Sequence, residues 1–550
     1  MAKESNTGVR PDLYAATPPS ECLRLLLSEL ATDKTLKLMY ADVSRAYFYA
    51  KAIRPVYVQL TEEDLEDGDE GKCGKLLMSM YGTRDAALNW SAEYTQTLVA
   101  DGYERGKANP CLFKHPVTKV MIMVHGDDFV AVGHDKNLKS ARSTLEDKYA
   151  IKVDTLGNGK DCVSEVKILN KIVKHTGDGI ELEADPRHAE IVVRELGLEN
   201  AKISRVPGVK IPGPKKDKDD EHTMERVQVL HEELMDEVEV DCDDPLWTMD
   251  DGADESEEED SDENQPLDAE GSRQYRAITA RLNYLAADRV DIQYAVKEAA
   301  RGMSSPTKAG WSLLGKIGRY LKGKPRLVMK FPWQVRQSLV TSYTDSDWAG
   351  CRRTAKSTSG GILTLGSHVI KSYSRQQKVI ALSSAEAELY AMVAASAETL
   401  AIIAYAADLG ISLGGEVYAD SSAALGISQR IGIGKVRHLR TQGLWVQETR
   451  ISGRLAYHKV LGTKNPADVL TKHVPGELLE RHLETLGAEM RGGRAELAPE
   501  LMSLATSWVQ WYKPLEAEEE TNNKTRKVTF AKKVQFRAVE HRNKGRSCKD

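Results

Sequence analysis

Acidic side chains at the ends of apolar runs are the residues of this sequence best placed to do chemistry. Residues 35–40, TLKLMY, alternate apolar and polar like a half-buried strand and lead into Asp42. Short apolar runs at 120–124 and 129–132 flank HGDD (125–128), which reads as a hairpin with Asp127 and Asp128 at its tip. Farther on, a strand over 338–344 ends at Asp345, and a strand over 416–419 ends at Asp420. Carboxylates gathered at strand ends from distant parts of a chain suit two-metal phosphoryl transfer. Two divalent cations about 3.5–4 Å apart need several carboxylates to hold them, one cation activating the attacking oxygen and the other stabilising the leaving oxygen. Hard oxygen ligands select magnesium or manganese over softer metals.

The elements that must position these acids alternate strand and helix. Residues 358–379 carry the Gly and Ser punctuation of hairpins, a long helix begins near Ser384, and another begins at Ser422. Both halves are therefore expected to be α/β or α+β. The apolar stretch 389–409 is Ala-rich and carries Glu398 and Asp408, which reads as a buried helix and not a membrane span. Seven cysteines without a CxxC pair indicate neither a disulfide framework nor a zinc site, and an N-terminus without an apolar core gives no support for secretion, so an intracellular protein is expected.

The chain has 550 residues, enough for roughly three to four domains, and 41% hydrophobic residues exclude global disorder. Its net charge of -6 conceals a partition. Residues 217–270 hold 25 acids against Lys218 and Arg226, a local charge of -23; subtracting this from -6 leaves +17 for the remainder. The acidic run cannot bury enough apolar surface to fold and reads as a disordered linker. The last 27 residues reverse the bias, with ten Lys or Arg against two acids, a tail suited to nucleic acid or nuclear import.

Read in order, the residues around the acids form a longer pattern. The first half contains DVSRAY (42–47), PVYVQL (55–60), KLLMSMYG (75–82), the Trp90 segment, GYERGKANPCLF (102–113) and HGDD followed by FVAVG. By these motifs it resembles the reverse transcriptase of Ty1/copia-type retrotransposon Pol polyproteins. QYRAITARLNYLAADRVDIQYAV (274–296), MSSPTK (303–308) and RYLKGK (319–324) resemble that family's connection region. SYTDSDWAGCRRTAKSTSG, IALSSAEAELYA, VYADSSAAL, RHL and NPADVLTK resemble its ribonuclease H domain, so the resemblance runs over about 12–474, broken mainly by the acidic insert.

The resemblance implies an α+β and α/β chain: a truncated right-hand polymerase palm and thumb joined to a ribonuclease H-like domain with a mixed sheet and flanking helices. The implied divisions are 1–214 for the reverse transcriptase, 215–270 for the disordered acidic linker, 271–335 for the connection, 336–475 for the ribonuclease H-like domain and 476–550 for a C-terminal extension with the basic tail. The family's fingers segment precedes the region matched by 12–31, hence the expectation of truncation. Polymerase metal binding and catalysis fall on Asp42, Asp127 and Asp128, and nuclease metal binding and catalysis on Asp345, Glu388, Asp420 and Asp468. Asp345 is favoured over Asp347 because it ends its strand directly, and Glu388 over Glu386 because it precedes LeuTyrAla; Asp347 and Glu386 are expected to be exposed surface charges. Tyr47 matches an aromatic position that presses on the sugar of the incoming nucleotide, Gly126 replaces a bulkier residue and would leave room beside the primer end, and His438 matches a regular histidine.

The function so implied is an RNA-directed DNA polymerase with ribonuclease H activity, using two Mg2+ or Mn2+ ions per active site. Its partners would be an RNA template, a DNA primer, RNA-DNA hybrid and deoxynucleoside triphosphates, with other retrotransposon polyprotein segments and no membrane. Its place would be a cytoplasmic particle, the nucleus or both. The competing reading is a catalytically silent, polymerase-defective element remnant that only binds nucleic acid.

Overall fold

The computed structural model describes residues 13, 15–59, 73–208, 265–351, 353–432, 440–501 and 537–539. Helix α1 (Ser20–Leu30) leads into β1 (Leu36–Val43). Then come β2 (Tyr57–Gln59), β3 (Cys73–Lys75), α2 (Ala86–Ala100), β4 (Glu104–Arg105), β5 (Leu112–Lys114), β6 (Met121–His125), β7 (Asp128–His134), α3 (Asp135–Glu146) and β8 (Ile151–Leu156). Strands β4-β5-β6-β7-β1-β8 form an antiparallel sheet in that order. Residue alternation puts Leu36 and Leu38 of β1 in one core with α1, and Met39, Ala41 and Val43 in another with Trp90, Leu98 and Leu145 of the flanking segments. The strand expected to be half-buried is thus covered on both faces.

A second antiparallel sheet joins β9 (Glu165–Ile168), β10 (Lys171–His175) and β11 (Gly179–Glu183) to β12 (Arg326–Pro332) and β18 (Ala488–Arg491), in the order β18-β12-β11-β10-β9. Helices α4 (Pro186–Glu195), α5 (Ala269–Ala286), α6 (Gln293–Arg301) and α7 (Lys308–Gly323) contribute Val192, Ile278, Leu282, Val296, Leu314 and Ile317 to the core it shares. This sheet draws one strand from the expected connection and one from the expected C-terminal extension. Strand pairing is non-local, and the divisions read from sequence cut across it.

The third sheet is mixed. β13 (Leu339–Asp347), β14 (Thr358–Leu365) and β15 (His368–Gln376) are antiparallel neighbours, while β16 (Gly414–Ala419) and β17 (Ala456–Lys459) continue it in parallel, giving the order β15-β14-β13-β16-β17. Helix α8 (Ser384–Asp408) crosses from β15 to β16; α9 (Ser422–Gln429) and α10 (Arg440–Ile451) cross from β16 to β17. By length and composition α8 could span a membrane. It packs on this sheet with Glu388, Leu389, Met392, Ala395, Thr399 and Ile402 buried. Helix α11 (Gly476–Thr485) precedes β18, and β19 (Arg537–Val539), the described part of the basic tail, pairs with β3.

The acidic linker lies outside the described residues as far as 264, as does His438. Its end is more ordered than expected: α5 begins at Ala269, and Asp268 caps it by accepting the Gly271 N–H at 2.7 Å. An acid at a helix N-terminus satisfies an orphan amide and the helix dipole together.

Helix α1 is buried along nearly its whole length, Glu21, Arg24 and Glu29 included, and it ties the three sheets together. Arg24 Nη2 donates to Asp288 Oδ1 at 3.0 Å and to the Ala287 carbonyl at 2.8 Å, and its Nη1 donates to the Ile370 carbonyl of β15 at 3.2 Å. Lys171 of β10 meets the same Asp288 oxygen at 2.8 Å. Burial alone would raise the Asp288 pKa, but Lys171 and Arg24 bring it below the usual carboxylate range. Asp288→Ala would strand two cations in the interior and is expected to destabilise the fold by about 3–5 kcal/mol, read from the urea unfolding midpoint.

Candidate active sites

In the first sheet, β1 and β7 pair so that Asp42 lies opposite Asp128, and the Val43 N–H donates to the Asp127 carbonyl at 3.0 Å. Carboxylate oxygens of Asp42, Asp127 and Asp128 come within 4.8 Å of one another. The β6-β7 connection is a two-residue turn, Gly126-Asp127, closed by the His125–Asp128 pair. Gly126 has φ +66°, a turn geometry that favours glycine at its first central position. The Trp90 indole, itself buried, donates to the Gly126 carbonyl at 2.7 Å and holds the turn. A Cβ on Gly126 would meet nothing within 4 Å, so backbone conformation accounts for this glycine, and crowding does not.

Tyr40, two residues before Asp42 and on the same strand face, donates its hydroxyl to Asp128 Oδ1 at 2.5 Å. Burial, then the charge of Asp127, raises the Asp42 pKa; burial, partly offset by the Tyr40 bond, raises that of Asp128. Lys152, opposite Asp42 on β8, is the cation that lowers the Asp42 pKa. Tyr47 lies in a short 3-10 turn, Ala46–Tyr49, with its ring 4.4 Å from that of Tyr81, and both tyrosine hydroxyls feel the Asp127 charge.

The third sheet builds a second cluster. Asp345 near the end of β13, Glu388 on α8 and Asp420 just past β16 bring carboxylate oxygens within 4.8 Å of one another. Asp345 is 5% exposed and Glu388 9%. The Thr471 hydroxyl donates to Asp345 Oδ2, the Ser346 N–H donates to Glu388 Oε1 at 3.1 Å, and the Asn465 amide donates to the Thr344 carbonyl at 2.9 Å. Gln377 Nε2 reaches Ser346 Oγ, beside Asp345, and the Ala387 carbonyl, beside Glu388, joining strand to helix. Burial first, then neighbouring acids, pushes Asp345 up to about 7 and Glu388 up to about 9. Burial and Asp468 likewise raise Asp420.

Asp468, in a 3-10 turn at Pro466–Leu470, stands outside the three-acid group but raises the pKa of both Asp345 and Asp420, and its Oδ2 pairs with Lys472 at 3.0 Å. Glu388 Oε2 and Asp468 Oδ1 are buried without a hydrogen-bond partner. Orphaned carboxylate oxygens facing raised acids match the hard-oxygen donor set of a magnesium or manganese centre, so the residues present fit such ions.

Two expectations are corrected. Asp347 and Glu386 are not free surface charges. Asp347 accepts from both the amide and the hydroxyl of Thr358. Glu386 is buried, receives the Leu382 N–H at 2.9 Å, and its own N–H donates to Ser383 Oγ, a variant of the capping box that starts α8. Sequence reasoning also passed over Tyr40, Lys152, Gln377, Thr471 and Lys472. The alternation of β1 places Tyr40 on the face of Asp42, and that signal could have been read; the others depend on non-local pairing.

An antiparallel sheet and a mixed five-stranded sheet, each with acids at its strand ends, give the chain a mixed α/β plan that resembles a reverse transcriptase joined to a ribonuclease H-like domain. Residues 12–210 match the family model described as reverse transcriptase (RNA-dependent DNA polymerase), and the chain is distantly homologous to copia-type Pol polyproteins. It is 24% identical over 482 residues to the retrovirus-related Pol polyprotein from transposon TNT 1-94 of Nicotiana tabacum, covering 86% of this chain and 32% of that one. It is also 24% identical over 482 residues to that from transposon RE1 of Arabidopsis thaliana, covering 86% and 29%. The chain spans about a third of the length of these curated relatives. Among solved structures, foamy viral protease-reverse transcriptase in complex with RNA/DNA hybrid is similar over 87% of this chain and 48% of that chain, with 12% identity and a TM-score of 0.40.

The raised acids predict a pH dependence. The folded chain holds protons on Asp345 and Glu388 that the unfolded chain, with ordinary carboxylates, releases at lower pH, so metal-free stability falls as pH rises from about 4 through about 7 and about 9. The metal-free melting temperature is therefore expected to be lower at pH 9 than at pH 5. Asp345→Asn should reduce that drop, and millimolar Mg2+ should recover stability in the wild type only.

Proposed function

We propose that the chain is an RNA-directed DNA polymerase with ribonuclease H activity, acting on primer-template and on RNA-DNA hybrid. The observation that carries this reading is the presence in one chain of two separate three-carboxylate clusters, each built at strand ends of its own sheet. Asp42, Asp127 and Asp128 would hold the polymerase ions, and Asp345, Glu388 and Asp420, with Asp468 beside them, the nuclease ions. When bound, Mg2+ or Mn2+, two per site, supplies the charge neutralisation and the activation of the attacking oxygen that phosphoryl transfer needs.

The chain's own groups do the positioning. Tyr40 orients the Asp128 carboxylate, and Trp90 holds the turn that aims Asp127. The tilted ring pair Tyr47 and Tyr81 stands beside Asp127, where it would press on the sugar of an incoming deoxynucleoside triphosphate. In the nuclease, Thr471 and the Ser346 amide orient Asp345 and Glu388. The reactions differ in the attacking oxygen: a primer 3'-hydroxyl on an α-phosphate in one site, water on an RNA phosphodiester in the other. Hybrid would be told from duplex DNA by groove shape and 2'-hydroxyls, without base specificity. The charge of +17 outside the acidic segment suits binding to phosphate backbones. The same reading places the protein inside the cell, in a cytoplasmic particle or the nucleus.

Purified chain with Mg2+ should extend a primer on RNA and cut the RNA of a labelled hybrid. Asp42→Asn should lower extension alone, and Asp420→Asn cleavage alone, each by about 100-fold to 1000-fold. Absence of both wild-type activities with Mg2+ and Mn2+ would leave a remnant that only binds nucleic acid. A finer test is Tyr40→Phe: extension should fall by about 10-fold and need more Mg2+, with hybrid cleavage unchanged, since the lost hydroxyl positions a polymerase carboxylate only.

A further inference from the structure

Helix α8 carries Glu388 near its start and Asp408 as its last residue, about 30 Å apart along the helix. At that far end the nuclease touches the polymerase sheet. Asp408 Oδ1 accepts the Lys107 N–H at 2.8 Å, and Asp408 Oδ2 accepts the Asn109 N–H at 2.7 Å. These amides belong to the tight turn between β4 and β5, closed by Gly106 N–H to the Leu112 carbonyl at 2.7 Å and Leu112 N–H to the Asn109 carbonyl at 3.1 Å. The Asn109 side chain, buried, also accepts the Cys111 N–H at 2.9 Å, so the turn is rigid before Asp408 arrives. Alternate amides in such a turn point one way and form a concave anion seat. Gly106 completes the seat: a Cβ there would lie 2.6 Å from Asp408 Oδ2 and 2.4 Å from the Asn109 carbonyl oxygen.

Other ties hold the two halves together as well. Lys371 of β15 bridges Glu21 of α1 and Glu398 of α8, and Ser28 Oγ of α1 meets His368 Nδ1 at 2.9 Å. They all act through α1. Asp408 alone among these ties engages the sheet whose β6-β7 turn bears Asp127 and Asp128, and it does so from the helix that bears Glu388.

We propose that Asp408 is a positioning residue: seated in the 106–109 turn, it makes α8 a strut that sets the spacing between the polymerase and nuclease carboxylate clusters, and hence where a hybrid is cut relative to the primer end. The cut-site part rests on the function proposed above; the strut does not. Asp408→Ala removes the seat's occupant, and Gly106→Ala evicts it from the other side, so both variants should behave alike.

Three readouts test it. Amide hydrogen exchange at Lys107 and Asn109 should quicken by at least 10-fold in both variants. The distance distribution between nitroxides carried on ketone-bearing unnatural residues at the exposed positions Val117 and Ile451 should broaden in both, read by pulsed dipolar spectroscopy. RNA cleavage during extension should change from one main distance behind the primer terminus to a spread of several nucleotides, while extension and cleavage of preformed hybrid stay within about 2-fold of wild type. Asp408→Glu should recover part of the exchange protection. Unchanged exchange, or an unchanged distance distribution with faster exchange, overturns the strut; a broadened distribution with an unchanged cut distance overturns its control of the cut site. A wild type without either activity defeats the proposed function and with it the cut-site role, and the first two readouts then decide the strut.

Discussion

Mutual repulsion of carboxylates held at the ends of buried strands is the constraint around which the chain is arranged. Three acids with oxygens within 4.8 Å of one another cost free energy in any partly desolvated setting, and burial first, then the neighbouring acids, raises the pKa values of Asp42, Asp128, Asp345 and Glu388. A chain left to relax would splay them apart. What prevents it here is rigid backbone: paired strands that oppose Asp42 and Asp128, a turn pinned by Trp90, and a helix joined to its strand through Gln377.

The two clusters solve the same problem with different materials. The Asp42, Asp127 and Asp128 cluster is the more open, and its support comes from side chains of adjacent strands, Tyr40 and Lys152. The Asp345, Glu388 and Asp420 cluster is more deeply buried and recruits a helix, a 3-10 turn and Thr471, and burial pushes Asp345 up to about 7 and Glu388 up to about 9. Between them runs α1, whose buried Arg24 serves the helical layer and β15 at once. The parts are cross-braced, and the second sheet, drawing strands from residues 165–183, 326–332 and 488–491, is one more brace.

Much of this was legible in the amino-acid order. Local pattern revealed β1, the β6-β7 hairpin, α8 and the strand ending before Asp420, because alternation, turn residues and caps act within a few residues. Ordered motifs pointed to the acids that the structure gathers into two groups. Charge partition separated an acidic segment from a basic remainder, although α5 starts inside the stretch read as linker, with Asp268 as its cap.

Sequence by itself placed Asp42, Asp127, Asp128, Asp345 and Asp420 at the ends of short elements, since alternation and turn residues act between near neighbours, while Glu388 and Asp468 were reached only through ordered motifs. Tertiary structure alone decided that Glu386 caps a helix while Glu388, two residues on, faces two aspartates, that Asp468 stands beside the acids of the third sheet and not among them, and that Asp408 crosses to the β4-β5 turn. Those assignments depend on which distant backbone amides and charges arrive at each carboxylate. No local pattern encodes that, because pairing between residues some 300 positions apart is settled by packing of the whole chain.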